Sequence, residues 1–230
     1  MRQIKKTIYL VNIGKYEPKI TKYTYPLIEK YAQKIGADIV KITERKFPEF
    51  PVVYEKLQIY ELAQKNQSDW NIYIDSDAMI HPETIDFTNF LKKDTILHHG
   101  TDMANIRWTY DGYFLRDGRN IGSCNWFTMA SDWCIDLWKP LDDITYKQAL
   151  DMIHPIQHEL NTVITRSHLI DDFTLSRNIA KFGLKVDTAM ELIKRVGLPS
   201  ANFFWHEYTL TSKEKTEKIA KVYQDWAAGK

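Results

Sequence analysis

Cysteine is nearly absent from this chain of 230 residues: there are two, Cys124 and Cys134, with no paired CxxC and no Cys/His spacing of the zinc-binding kind. A disulfide framework is excluded and zinc ligation disfavoured, while a single Cys124–Cys134 bridge stays open. Net charge is nearly absent too. Against 31 Lys and Arg stand 30 Asp and Glu, a balance of +1. No global field therefore favours nucleic acid or a membrane surface, and any anion site must be local. No apolar run is long enough to span a bilayer. Met1 to Gly14 carries basic residues and a short apolar stretch, but Asn12 interrupts it and no small-residue cleavage site follows. The expectation is a soluble chain with no transmembrane segment and no nucleic-acid partner, either cytoplasmic or a catalytic domain excised from something larger. The patterns GxGxxG, Walker A, GxSxG and HExxH are all missing. With them goes the usual sequence support for a dehydrogenase, P-loop kinase, serine hydrolase or zincin.

The length suits one domain over residues 1–230, with an amphipathic helix closing it at about 212–228. Aromatics make up 13% of the chain; their flat faces can cover sugar rings, and an ordinary packed core explains them equally well. Lys6 to Asn12 reads as a buried strand ended by Ile13-Gly14. Tyr23, Leu27, Ile28, Tyr31 and Ile35 then share one helical face, with Gly36 as the stop. Asp38 to Ile42 is a second strand, Val53, Leu57 and Tyr60 mark another helix, and Trp70 to Ile74 is a third strand. Strand, helix, strand, helix, strand predicts parallel pairing with right-handed crossovers. The second half is less regular and predicts a mixed sheet, with a strand at Trp126 to Ala130 and helices near Asp132 to Trp138, Ile156 to Arg166 and Asp171 to Phe182. Thr211 and Glu214 form a capping-box pattern before Ile219, Val222, Tyr223 and Trp226. The fold class is α/β, a nucleotide-binding mixed sheet flanked by helices.

A sheet of this order binds ligands beyond the carboxyl ends of its strands, where both Asn12-Ile13-Gly14 and Asp75-Ser76-Asp77 sit. The third strand runs apolar and stops at two aspartates one residue apart. Like charges held together resist ionisation, and a divalent cation relieves this by accepting their oxygens. A polar turn with Asp side chains bonded to nearby amides is the plainer alternative.

Tyr73-Ile74-Asp75-Ser76-Asp77 resembles the DxD motif of GT-A nucleotide-sugar glycosyltransferases, in compact viral and bacterial domains and in the galactosyl- and mannosyltransferase families. The resemblance implies a Rossmann-like nucleotide-binding sheet. It also implies that Asp75 meets the ribose or a metal-bound water, and that Asp77 ligates the metal. Asn120-Ile121-Gly122-Ser123 resembles the loop where donor sugar and acceptor meet. Ile170-Asp171-Asp172 resembles the acidic motif that holds the general base of inverting members. His206 resembles the C-terminal histidine that completes the metal site. The resemblance thus implies Asp172 and Asp171 as catalytic candidates and Asp75, Asp77 and His206 as metal ligands. Asn12, Gly14, Lys56, Asp75, Asn120 and Gly122 are the candidates for the donor. On the residues alone, Asp171 reads equally well as a helix N-cap, Lys56 as a solvated helical lysine, and Gly122 as part of an ordinary turn. Arg107 to Phe114 reads either as a sugar-contacting loop or as core cover, and His98 and His99, lacking a partner at ligand spacing, read as structural. The implied cofactor is Mn²⁺, with Mg²⁺ as substitute. The implied partners are a UDP-sugar or GDP-sugar donor and a glycan or glycoprotein acceptor. A metal-dependent nucleotide-sugar pyrophosphatase and a non-catalytic sugar-nucleotide-binding module are the competing readings.

Overall fold

The computed structural model describes residues 4–99, 126–153, 156–157, 163–198, 203–207 and 210–228. The run Lys6–Val11 is strand β1, with its four central residues buried, and it leads into helix α1, Pro18–Ile35. Pro18 starts that helix five residues before Tyr23, the first of the apolar pattern, because proline's fixed φ suits the first turn. Gly36 ends it at φ +67°, a left-handed conformation in which its N–H reaches the Ala32 and Gln33 carbonyls. Strand β2, Ala37–Ile42, follows directly. The second predicted helix forms as a 3₁₀ segment, Val52–Gln58, that relaxes into α2, Ile59–Asn66. Strand β3 is Trp70–Ile74, buried throughout.

Strands β1 and β2 pair in parallel, as do β1 and β3. Beyond β3 come the two-residue β4 (Met79–Ile80), then β5 (Thr95–His98) and β6 (Phe127–Ser131). Next are α3 (Tyr146–Asp151) and the short pair β7 (Ile156–Gln157) and β8 (Val163–Ile164). Helix α4 (Ile170–Phe182), β9 (Lys185–Thr188), α5 (Ala189–Arg195), β10 (Phe204–Trp205) and α6 (Ser212–Ala227) complete the described elements. The main sheet has the order β2-β1-β3-β6-β5-β9. Strand β6 runs antiparallel to both β3 and β5, while β5 and β9 are parallel, so the sheet is mixed as expected.

Each face of this sheet carries its own core. Tyr9 and Tyr73 pack with Tyr54, Trp138 and Phe173 on one side; Ile8, Leu10, Ile72 and Ile74 pack with Ile28, Tyr31 and Leu192 on the other. Burial on both faces is why β3 is apolar or aromatic at every position but Asn71 and shows no simple alternation. A third cluster joins α6 to α1, where Ile219, Val222, Tyr223 and Trp226 meet Ile20, Tyr23 and Leu27. The capping box at Thr211 and Glu214 forms, each side chain bonded to the other's backbone N–H.

Three local expectations are corrected. The stretch predicted as a helix from Ile156 to Arg166 instead holds the antiparallel pair β7 and β8; its Ile156, Val163 and Ile164 are β-branched, which favours the extended chain. Asp132–Trp138 is 3₁₀, broken where Cys134 takes φ −113°. Cys134 is a buried free thiol that donates to the Lys93 carbonyl at 3.3 Å, so it forms no bridge. Cys124, like Asn120, Gly122 and the stretch from Arg107 to Phe114, lies outside the described residues. Among the described residues, no helix is long and apolar enough to cross a membrane.

Candidate metal centre

The two aspartates leave the carboxyl end of β3 in a tight turn. The Asp75 amide donates to the Trp126 carbonyl at 2.8 Å, and the Ala78 amide closes onto the Asp75 carbonyl at 3.0 Å. Ser76, between them, is tied on both sides: its hydroxyl donates to the Val11 carbonyl at 2.7 Å, and Thr24 of α1 donates to its carbonyl at 2.6 Å. With the spacer residue fixed to β1 and α1, both carboxylates project beyond the strand ends. In place of the plainer turn, in which Asp side chains bond nearby amides, each carboxylate is held by side-chain donors.

His206 reaches this place through a two-residue pairing. Strand β10 runs antiparallel to β4 with Trp205 opposite Met79, so the next residue along meets the turn that ends in Asp77. The Phe203 carbonyl locks this register by accepting from the His81 amide at 2.8 Å and the Thr84 hydroxyl at 3.2 Å.

The two oxygens of each carboxylate have different duties. Asp75 Oδ1 accepts from the Tyr73 hydroxyl and faces Lys56 Nζ at 4.0 Å. Asp77 Oδ2 accepts from Lys215 Nζ at 2.6 Å and from the Tyr16 hydroxyl at 3.0 Å. The other two oxygens, Asp75 Oδ2 and Asp77 Oδ1, lie 3.7 and 3.4 Å from His206 Nε2. One ligand atom from each of the three residues falls within 4.8 Å of the others. An ion bonded at about 2.1 Å spaces its cis ligands about 3 Å and its trans ligands about 4.2 Å apart. The three groups therefore fit a small divalent cation after shifts of a few tenths of an ångström. The outer oxygens can keep their donors while the inner ones turn to metal.

Electrostatics separates the pair. Burial pushes the Asp75 carboxyl above its ordinary value and the Asp77 charge adds to this, against the pull of Lys56 and His206. Burial also acts to raise Asp77, but the His206 contact and the Lys215 ion pair outweigh it and hold this carboxyl well below the usual range. Asp77 thus stands ionised at physiological pH, the state that metal ligation requires.

Lys56 is not the solvated lysine of a helix face. It lies in the 3₁₀ segment, 2% exposed, with its Nζ 2.6 Å from Asp171 Oδ2 and 4.5 Å from the centre of the Tyr73 ring. Burial alone would lower its pKa; Asp171 and Asp75 reverse the shift and raise it. Asp171 and Asp172 are both buried in the first turn of α4, whose N-cap is Leu169, so Asp171 is not the cap. The structure brings Lys56, Asp75 and Asp171 into one charged cluster, with Asp172 near enough to act on the Lys56 charge. Two ammonium groups, Lys56 and Lys215, thus lie among the carboxylates of Asp75, Asp77 and Asp171.

Asn12 and Gly14 stand beside this cluster at the end of β1. The Asn12 amide donates to the Ile42 carbonyl at 2.8 Å, and its side chain accepts from the Tyr16 amide at 2.9 Å. Gly14, Lys15 and Glu17 all have positive φ, at 67°, 59° and 28°. Glycine takes this conformation freely, but at Lys15 and Glu17 it is strain held by the surroundings, and the loop carries Tyr16 to Asp77.

Sequence reasoning missed Tyr16, Tyr73, Trp126 and Lys215 at this site. Only Lys215 left a signal. It lies four residues before Ile219, on the apolar stripe of α6, where a lysine needs a buried partner.

No family model matches the chain, and no curated protein matches it. Among solved structures it is similar to a glycosyltransferase involved in the glycosylation of the major capsid of PBCV-1. The TM-score is 0.51 and the identity 10%, over 94% of this chain and 99% of that one. It is also similar to the galactosyltransferase LgtC in complex with donor and acceptor sugar analogues, with a TM-score of 0.49, 11% identity and 94% and 95% of the two chains covered. A third likeness is to a mutant Drosophila β1,4-galactosyltransferase 7 in complex with manganese, UDP-Gal and xylobiose, with a TM-score of 0.43, 13% identity and 93% and 79% covered. At such identities the likeness is one of fold. The chain has the GT-A glycosyltransferase fold, and its Asp75 and Asp77 beside His206 fit the DxD motif of that fold.

Proposed function

We propose that this chain is a metal-dependent glycosyltransferase, moving a hexose or deoxyhexose from a nucleoside-diphosphate sugar to a hydroxyl of a glycan or glycoprotein. One observation carries the reading: Asp75 Oδ2, Asp77 Oδ1 and His206 Nε2 converge beyond the carboxyl ends of β1 and β3 in a GT-A sheet. Oxygen and imidazole ligands together suit Mn²⁺, with Mg²⁺ as substitute. When bound, the ion supplies Lewis-acid stabilisation to the charge that builds on the departing diphosphate.

The chain's own groups prepare for that charge. Tyr73 with Lys56, and Tyr16 with Lys215, fix the outer oxygens, so the ligand set needs little reorganisation. Asn12 and Gly14 are assigned to the nucleotide; Asn120 and Gly122, outside the described residues, are assigned to the donor sugar by the motif resemblance alone. Asp171 is engaged by Lys56, which makes it a holder of Lys56. By the likeness of Ile170-Asp171-Asp172 to the acidic motif of inverting members, we assign Asp172 as the base that takes the acceptor proton, with inversion at the anomeric carbon. UDP-sugars are the preferred donors by association with the fold, and GDP-sugars the alternative. The reading treats residues 1–230 as one catalytic domain.

The test is a screen of UDP-, GDP-, CMP- and dTDP-sugars with Mn²⁺ or EDTA, reading the released nucleotide by chromatography. Metal-dependent release of nucleoside diphosphate, increased by acceptor, is the expected result. Release of a nucleoside monophosphate from a UDP-, GDP- or dTDP-sugar would make the chain a pyrophosphatase. Asp77→Asn and His206→Ala should lose metal-dependent donor binding. Asp172→Asn should keep it and lose about 10²–10⁴ in rate; normal transfer by that variant would remove Asp172 from the mechanism.

A further inference from the structure

The outer oxygen of Asp77 is braced by two donors and that of Asp75 by the Tyr73 hydroxyl in the field of Lys56, but an imidazole offers no second oxygen to hold. A ligand ring free to turn about its Cβ–Cγ bond carries its nitrogen away from the ion. Something outside the cluster has to set its plane, and among the described residues the group that does so is the indole of Trp126. The two rings stack with centroids 5.0 Å apart and planes 16° from parallel. The indole is itself wedged: His99 lies 4.4 Å from it on a tilted plane, and Phe204 meets it edge-on at 5.9 Å.

The same residue is also tied to a second ligand. Its carbonyl accepts the Asp75 amide at 2.8 Å, which extends the pairing of β3 with β6 by one rung past Ile74 and Phe127. Trp126 therefore touches the carriers of two of the three ligands, one through its backbone and one through its side chain.

We infer that Trp126 is a positioning residue for the metal centre: its indole face holds the His206 imidazole with Nε2 turned towards Asp75 Oδ2 and Asp77 Oδ1. The inference deepens the proposed function and rests on its metal reading. Trp126 touches no reacting atom, and its effect passes entirely through His206. Side-chain substitution leaves the carbonyl rung to Asp75 in place, so the two contacts can be separated.

The experiment measures the Mn²⁺ dissociation constant of the full chain by electron paramagnetic resonance without donor, in wild type, Trp126→Leu, Trp126→Phe and both of these combined with His206→Ala. Loss of an outer group that orients a ligand weakens metal binding about 10–100-fold. That loss is expected for Trp126→Leu, with Trp126→Phe recovering most of it because a flat ring still lies against the imidazole. In the His206→Ala background, Trp126→Leu should change nothing further. As a metal-free readout, the His206 ring protons should be shifted upfield by the indole in wild type and lose that shift in Trp126→Leu. Wild-type affinity in Trp126→Leu, or an equal loss with and without His206, would overturn the inference while leaving the metal site standing. A wild-type chain that binds no Mn²⁺ would instead overturn the metal reading, and the inference with it.

Discussion

Lys56 is the residue on which the charged interior turns. Its ammonium is almost fully buried and 2.6 Å from an equally buried Asp171, with Asp75 at 4.0 Å. Such a pair adds little net stability over an apolar pair of the same volume, but losing one partner strands a charge in low dielectric. Lys56→Met should therefore cost about 3–5 kcal/mol in urea unfolding, and Asp171→Leu a comparable amount, while the double variant recovers most of the loss. Additive losses would mean the two groups do not act as a pair. The role of Lys56 was illegible in sequence because a lysine between Glu55 and Leu57 gives no sign that its segment winds as 3₁₀ and turns inward. The aspartates Asp75 and Asp77 were legible, since an apolar strand that stops at two carboxylates is a conflict needing a counter-charge. The donors that brace them, Tyr16 and Tyr73, come from a strained loop and from the strand itself. No spacing rule marks either.

At the scale of elements, α6 shows what periodicity conveys. Its stripe and capping box predict a docked amphipathic helix, and the helix docks with Ile219 fully buried against α1 and β4. Ile219→Ala should cost about 2–5 kcal/mol of stability, as for a core cavity. Because Lys215 lies one turn earlier on the same face, this variant should also loosen the clamp on Asp77, read as faster amide exchange in the first turn of α6. Unchanged exchange there would show that Lys215 is held independently of the helix packing. Strands β1 and β3 and helix α1 were readable to within a few residues, since each is long enough to show a burial pattern. Strands β4 and β10 were not. Two residues have no period, yet their register is what carries His206 to the aspartates. The helix expected from Ile156 to Arg166 failed for the related reason that helical spacing over a short span also fits β-branched residues in a hairpin-like pair.

For the molecule as a whole, stability should fall on mild acidification because burial makes two histidines resist protonation. His98, 1% exposed on β5, has its pKa pushed down to about 4 by burial, and the His99 charge adds to this. His99 is likewise lowered to about 4, by burial first and His206 second. Both values lie below the unfolded value of 6.5. As pH drops, the unfolded chain takes up these protons first, so stability is full above about pH 6.5 and is lost progressively towards pH 4. Urea midpoints measured in EDTA at pH 7.5 and 5.0 should show the fall, and His98→Leu should flatten it. Its Nδ1 has no hydrogen-bond partner among the described residues, so the apolar substitute removes a buried polar atom at little cost. An unaltered slope in that variant would assign the acid sensitivity elsewhere.

Asp77 and its clamp Lys215 stand 138 positions apart in the chain. Closing so long a loop is entropically late, coming after the local turns and the nearby parallel strands have formed. An ion held by Asp75, Asp77 and His206 would thus find its seat only on a chain whose distant segments have already met. Metal capture would then report finished assembly, and half-made chains would be spared premature chemistry.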